Sequence, residues 1–147
     1  MIDISSKEIV KREATASGVI TLRDSTVKEI REGRVRKGDP IPVARAAGIM
    51  AIKKTPDLIP YCHPIPIEHT SIEFSVADRA ITCTCTVSSH YRTGVEMEAI
   101  TGVSVALLTI WDMVKYLEKD ENGQYQETEI SDIRVLRKVK GEPDSHQ

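Results

Sequence analysis

The stretch Ile67-Glu68-His69-Thr70-Ser71-Ile72-Glu73-Phe74-Ser75-Val76, followed by Ala77-Asp78-Arg79-Ala80 and then Ile81-Thr82-Cys83-Thr84-Cys85-Thr86-Val87-Ser88, decides the fold. Both long segments alternate apolar with polar side chains, the period of a half-buried strand, and the four residues between them suit a turn. The stretch reads as a β-hairpin with one face in a core. Ile81, Cys83, Cys85 and Val87 share that face, and Thr82, Thr84 and Thr86 take the other.

Toward the N-terminus, Pro60, Pro64 and Pro66 make residues 56–66 a rigid extended connection. Before it, Pro42 suits the first turn of a helix that runs through Ala44, Ala47, Ile49 and Met50 to Lys54, where Thr55-Pro56 ends it. Residues 34–41 are basic and punctuated by Gly and Pro, so they form a loop. Asp24 or Ser25 can cap a short helix carrying Val27 and Ile30, with Gly33 as its stop. Residues 11–22 end in Gly18-Val19-Ile20-Thr21-Leu22 and read as a strand.

Toward the C-terminus, a helix runs from about Val95 to Lys119. A polar surface loop, Asp120 to Thr128, and a last strand, Ile130 to Val139, follow it; Gly141 to Gln147 is expected to fray. With the two early helices taken as one crossover the order is βαββαβ. That is the ferredoxin-like α+β pattern, an antiparallel sheet with helices packed on one face, in a single domain of residues 1–147.

Within the long helix Val95, Ala99, Val103, Ala106, Ile110 and Val114 form one apolar line, while Leu107, Trp111 and Leu117 leave it. Its apolar surface is wider than one sheet face covers, so a second subunit is expected over the remainder. Thr101, Ser104, Leu108, Asp112, Lys115 and Lys119 form a narrow, mostly polar stripe.

Composition narrows the function. The 147 residues carry a net charge of −2, with only one Trp, one Phe and four Tyr. That gives no global attraction for nucleic acid and few rings on which bases could stack. Three cysteines, an odd number, fit a reducing compartment better than a disulfide framework. Met1-Ile2-Asp3-Ile4-Ser5 shows no signal peptide, and the uncharged run after Glu98 falls short of a membrane span. A soluble cytoplasmic protein is expected.

Charges flank the uncharged segment Ala99 to Trp111: Glu96 and Glu98 before it, Asp112 and Lys115 after it. Next to so apolar a segment they should be partly desolvated, with shifted pKa values suited to proton chemistry. Asp112 and Lys115 lie side by side on a helix. They form either a surface ion pair or a coupled proton donor and acceptor, and spacing does not separate the two. Glu96 and Glu98 either favour the positive end of the helix dipole or bind amino groups of a heterocycle.

Lys37, in the flexible run Arg34-Val35-Arg36-Lys37-Gly38-Asp39-Pro40, is either a solvated charge or a mobile lysine that folds over a polyanion; Lys53 and Lys54 could add to a triphosphate site. Cys62 and His63 are adjacent in an extended segment, where successive side chains diverge, and no C-x-x-C or H-x-x-x-H spacing accompanies them. A metal site is therefore not expected, and His63 reads better as a hydrogen-bond partner for substrate.

Five motifs carry a family resemblance. They are Lys37-Gly38-Asp39; Ala44-Arg45 with Ala47-Gly48-Ile49; Leu58-Ile59-Pro60-Tyr61-Cys62-His63-Pro64; Thr93-Gly94-Val95-Glu96-Met97-Glu98-Ala99; and Thr109-Ile110-Trp111-Asp112-Met113 with Lys115. In this order, from about Met1 to Lys138, the chain resembles the molybdenum cofactor biosynthesis protein C (MoaC) family, the cyclic pyranopterin monophosphate synthases. The resemblance implies a hexamer built as a trimer of dimers, with sites across the dimer contact. It implies a lyase acting on 3′,8-cyclo-7,8-dihydro-GTP, a nucleotide triphosphate supplied by a radical enzyme, and releasing pyrophosphate without a metal or redox cofactor.

By position it makes Asp112 the catalytic carboxylate and Lys115 and Lys37 the catalytic lysines. Tyr61, Cys62, His63, Met97 and Glu98, with Glu96 close by, match substrate contacts, and Lys7 and Arg12 match basic positions that meet phosphates across the interface. The chain departs from the family pattern at its tail, Val139-Lys140-Gly141-Glu142-Pro143, and by extra residues from roughly Glu121 to Thr128. The rival reading is a non-catalytic nucleotide-binding regulatory module, since ferredoxin-like domains also bind ligands without turning them over.

Overall fold

The computed structural model describes residues 1–143. Its elements run β1 (Val10–Thr21), α1 (Asp24–Arg31), α2 (Pro40–Lys53), α3 (Thr55–Leu58), β2 (His69–Val76), β3 (Ala80–Tyr91), α4 (Glu96–Glu118) and β4 (Glu129–Pro143). The sheet order is β2-β3-β1-β4 with every pair antiparallel, the ferredoxin-like arrangement expected from the βαββαβ order. The β2–β3 hairpin closes where the Ala77 N–H donates to the Ala80 carbonyl at 2.8 Å.

One sheet face is buried under the helices. Ile81, Cys83, Cys85 and Val87 of β3 meet Ala14, Ala16 and Ile20 of β1 there, below Val103, Ala106, Leu107 and Ile110 of α4. The opposite face carries Thr15 and Thr86, which share a hydrogen bond of 3.0 Å between hydroxyls. Burial holds the Cys83 and Cys85 thiols up at about 12, as core hydrophobes rather than reactive groups.

Helix α2 packs against α4 backbone to backbone. A Cβ at Gly48 would lie 3.0 Å from the Gly102 carbonyl oxygen and 2.7 Å from Ile72 Cδ1. A Cβ at Gly102 would lie 2.9 Å from Ile52 Cγ1. Two glycines therefore set the helix spacing. Because Gly48 lies near Ala106 and Ile52 near Gly102, α2 and α4 run in opposite directions.

Four local expectations are corrected. The wide apolar surface of α4 is largely covered within the chain: Leu107 is fully buried against the sheet near Gly18 and Ile133, and α2 takes the Gly102 side. Residues 55–58 form one helical turn, because Pro56 sits at its start where no N–H is needed. Neither Asp24 nor Ser25 caps α1. Arg23 holds the cap position, and the Glu118 carboxyl from the far end of α4 accepts its backbone N–H at 3.0 Å. Gly141–Pro143 continue β4 instead of fraying; the rest of the expected frayed tail, residues 144–147, lies outside the described residues.

α4 also differs from its membrane reading: over an 18-residue window its mean hydropathy of 1.5 is enough for a span by length and composition. It packs instead as the core helix, with its apolar line against the sheet and α2.

Candidate active site

α4 carries chemistry at both ends. Its first turn, entered through Thr93 and Gly94, forms one wall of a cleft of about 590 Å³. The 59–65 connection and the N-terminal residues form the others. Tyr61, Cys62, His63, Glu96, Met97, Glu98 and Lys7 all line it, so the structure gathers seven of the expected contact residues in one place. The volume is that of a small-molecule site.

Glu98 is the chemically unusual group of the cleft. It is only 2 % exposed, and burial raises its carboxyl to about 7, with Glu96 nearby adding to the rise. The Cys62 thiol is raised too, first by burial and then by Glu98 and Glu96, so it is a poor nucleophile. Glu96 is paired with Lys138 of β4 at 2.5 Å, and the Lys138 stem packs over Gly94. Lys138 therefore faces the cleft turn.

The N-terminal residues are a part of the cleft that sequence reading missed. Met1, Ile2 and Ile4 line it, and the His63 Nε2 lies 2.7 Å from the Ile2 carbonyl oxygen. No spacing in the sequence ties residues 1–4 to His63. A smaller hollow of about 360 Å³ adjoins it, sharing Met1, Ile2, Ile4 and His63 and adding Arg92.

Arg12 is 5 % exposed and donates to the Tyr91 and Arg92 carbonyls at 3.4 and 3.3 Å. Lys53 is exposed at the end of α2, so neither it nor Arg12 lines the cleft of a single chain.

The second cluster lies on the last turns of α4. Lys115 Nζ is 3.1 Å from Asp112 Oδ1, and Lys37 Nζ is 3.3 Å from Asp112 Oδ2 and 3.1 Å from the Asp112 carbonyl oxygen. The structure thus brings Asp112, Lys115 and Lys37 together. A helical rise of roughly 21 Å separates Asp112 from Glu98. Within one chain the two clusters stand at opposite ends of α4.

The partial desolvation expected from the sequence is complete at Glu98, holds in part at the half-buried Glu96 and Lys115, and fails at Asp112. The Asp112 side chain is 58 % exposed, and its pKa is lowered, first by its hydrogen bond with Lys115 and then by that with Lys37. Its helix face turns away from the core, so ion pairing and not burial sets its charge. The loop of Lys37 is also held, where a flexible run was expected. Val35 is buried in the core and the Asp39 side chain caps α2 through the Ile41 N–H. The Arg36 N–H donates to Tyr116 Oη at 2.7 Å, and the Arg36 guanidinium stacks 4.5 Å from the Tyr116 ring centre. Gly38 makes the turn with φ of 111°, a conformation only glycine takes freely.

Among the described residues no group of three His, Cys, Asp or Glu side chains is gathered as a metal ion would need. Cys62 and His63 share the cleft, but Cys83 and Cys85 lie in the core.

The arrangement can bind a flat polar heterocycle at one end of α4 and move protons or neutralise phosphate at the other. Comparison with known proteins gives this a context. The chain is 58% identical over 140 residues to a probable cyclic pyranopterin monophosphate synthase of Sulfurisphaera tokodaii, covering 95% of this chain and 93% of that protein. It is 57% identical over 142 residues to a protein of the same description from Thermococcus kodakarensis, covering 97% and 91%. A third, from Methanosphaerula palustris, is 60% identical over 141 residues, covering 96% and 92%. The MoaC family profile matches residues 1–141. With near-end-to-end identity and the motifs collected at the two ends of α4, the chain belongs to the MoaC family.

Proposed function

We propose that the chain is a cyclic pyranopterin monophosphate synthase of molybdenum cofactor biosynthesis, converting 3′,8-cyclo-7,8-dihydro-GTP into cyclic pyranopterin monophosphate and pyrophosphate. The observation that carries this reading is the match along nearly the whole chain to relatives described by that activity. The cleft geometry supports it. A buried Glu98 carboxyl between apolar walls suits the N–H edge of a guanine-derived ring, and Lys7 beside it suits phosphate.

The 21 Å separation points to a site shared by two copies. A two-fold contact that lays two α4 helices side by side in opposite directions would bring the Glu98 end of one to the Asp112 end of its partner. Leu108, 57 % exposed on the stripe between the two clusters, supplies an apolar surface for that contact. The assembly is then a homo-oligomer, a trimer of dimers as the family resemblance implies, fed by a radical enzyme that makes the cyclised nucleotide.

In the shared site, lysines hold the triphosphate and neutralise the leaving pyrophosphate. Asp112 and Lys115 move protons while the guanine-derived ring opens and the pyran ring closes. A sugar hydroxyl then attacks the α-phosphorus, the bond to the bridging oxygen breaks, and pyrophosphate leaves. Incubating the purified protein alone with the cyclised nucleotide tests the reading. Release of pyrophosphate is expected; retention of intact nucleotide without release would make the chain a sensing module instead.

A further inference from the structure

Tyr116 follows Lys115 on α4, and nothing in the family motifs assigns it a task. Its hydroxyl accepts the Arg36 backbone N–H at 2.7 Å, and its ring lies under the Arg36 guanidinium at 4.5 Å. Lys37, the next residue, reaches Asp112 twice, at 3.1 Å to the carbonyl and 3.3 Å to the carboxylate. On its other side Val35 is buried in the core, and the Gly38 N–H donates to the Val35 carbonyl at 3.1 Å. Between those anchors, among the described residues, Lys37 is held on the α4 side by Asp112 and, through Arg36, by Tyr116.

We propose that Tyr116 is a positioning residue that pre-orders the 34–39 loop so that Lys37 stands at Asp112 before substrate arrives. This rests on the reading of Asp112 and Lys37 as catalytic groups. Without the tyrosine the loop keeps its anchor at Val35 but loses the backbone hydrogen bond and the cation–π contact. The ratio of ordered to released loop then falls by about tenfold, the factor that one such hydrogen bond and one such contact together set. Substrate phosphate re-selects the ordered loop, so the deficit appears in apparent affinity and not in the turnover of the bound complex.

The test compares wild type, Tyr116→Phe, Tyr116→Ala, Lys37→Ala and the Tyr116→Ala/Lys37→Ala double variant in the intact protein. Two readouts are used: pyrophosphate release from the cyclised nucleotide, and hydrogen exchange of the amides of residues 34–39 without ligand. Tyr116→Ala is expected to raise KM by up to about tenfold with kcat within about twofold, and Tyr116→Phe to raise it by up to about threefold. Tyr116→Ala is expected to change neither constant further once Lys37 is alanine. Exchange at the Arg36 and Gly38 amides is expected to rise about tenfold in Tyr116→Ala.

A variant that merely misfolds would lose kcat at constant KM, which overturns the proposal, as does an equal KM effect in the Lys37→Ala background. If wild type releases no pyrophosphate, the functional reading fails by itself. The exchange data still decide the loop: unaltered protection in Tyr116→Ala would refute the positioning role.

Discussion

Glu98 and Asp112 are carboxyls on one helix with opposite surroundings, and each yields a prediction. Glu98 is raised to about 7 by burial from an ordinary value near 4.5. Between these two pH values the folded chain keeps a proton that the unfolded chain has released, so stability falls as pH rises through the window. The change is about 3 kcal/mol at full extent, at 1.36 kcal/mol per unit. Urea unfolding at pH 5 and pH 8 should show that loss in wild type, and Glu98→Gln should abolish most of it.

Asp112 lies the other way, ionised to lower pH by Lys115 and Lys37, and it is exposed, so its loss should leave stability intact. Asp112→Asn and Lys115→Ala are each expected to stay folded and to lose about 10²–10⁴ in turnover, read as pyrophosphate release. Spacing of three along a helix made the Asp112–Lys115 pair legible in the sequence. It could not show that one carboxyl turns into an apolar cleft and the other into solvent, because that depends on what packs across the helix. Residues 1–4 and the 59–65 connection, which bury Glu98, are remote from it in sequence.

At the scale of elements, the hairpin, the long helix and the strand order were legible because alternation and helical spacing are strong over these lengths. Caps and short turns were not. Glu118 shows why: it is fully buried at the end of α4 and accepts the Arg23 N–H, the Thr26 hydroxyl and, at 2.6 Å, the Thr128 hydroxyl. One side chain thus closes α1, α4 and the start of β4 together, over separations no local signal covers.

Removing it leaves two buried hydroxyls and the half-buried Arg23 N–H without an acceptor, each costing about 1–3 kcal/mol when nothing replaces the bond. Glu118→Ala is therefore expected to lose roughly 3 kcal/mol or more in urea unfolding, and Glu118→Gln distinctly less. Equal, small losses in both variants would show that the three donors find water instead. The segment from Glu121 to Thr128 is tied into the same corner, with Tyr125 edge-on to Trp111 at 5.1 Å and Glu127 paired with Arg79 at 2.6 Å. It is a docked segment beside the Asp112 turn.

For the whole molecule, the proposal of a shared site makes a prediction that no single-copy enzyme would meet. Asp112→Asn spoils one cluster and His63→Ala the other, so each variant alone should be inactive. Mixed in equal amounts and allowed to exchange subunits, half of the pairs are hybrid, and each hybrid holds one intact site out of two. About a quarter of wild-type activity should return. Activity that stays at the level of the separate variants, with subunit exchange verified by mass, would place both clusters' chemistry within single chains.

The glycine-to-glycine crossing of α2 and α4 bears on all of this. Lys37 hangs from the start of α2 through Asp39, while its carboxylate target rides on α4. At Gly48 the α2 backbone meets the Gly102 carbonyl of α4 directly, and the Ile52 side chain fills the space over Gly102. A single methyl inserted there would act as a wedge near the fulcrum, and the far end of α2 would swing through a larger arc than the wedge itself. Ångström-level alignment of lysine and carboxylate is thus governed by two hydrogens buried far from either of them.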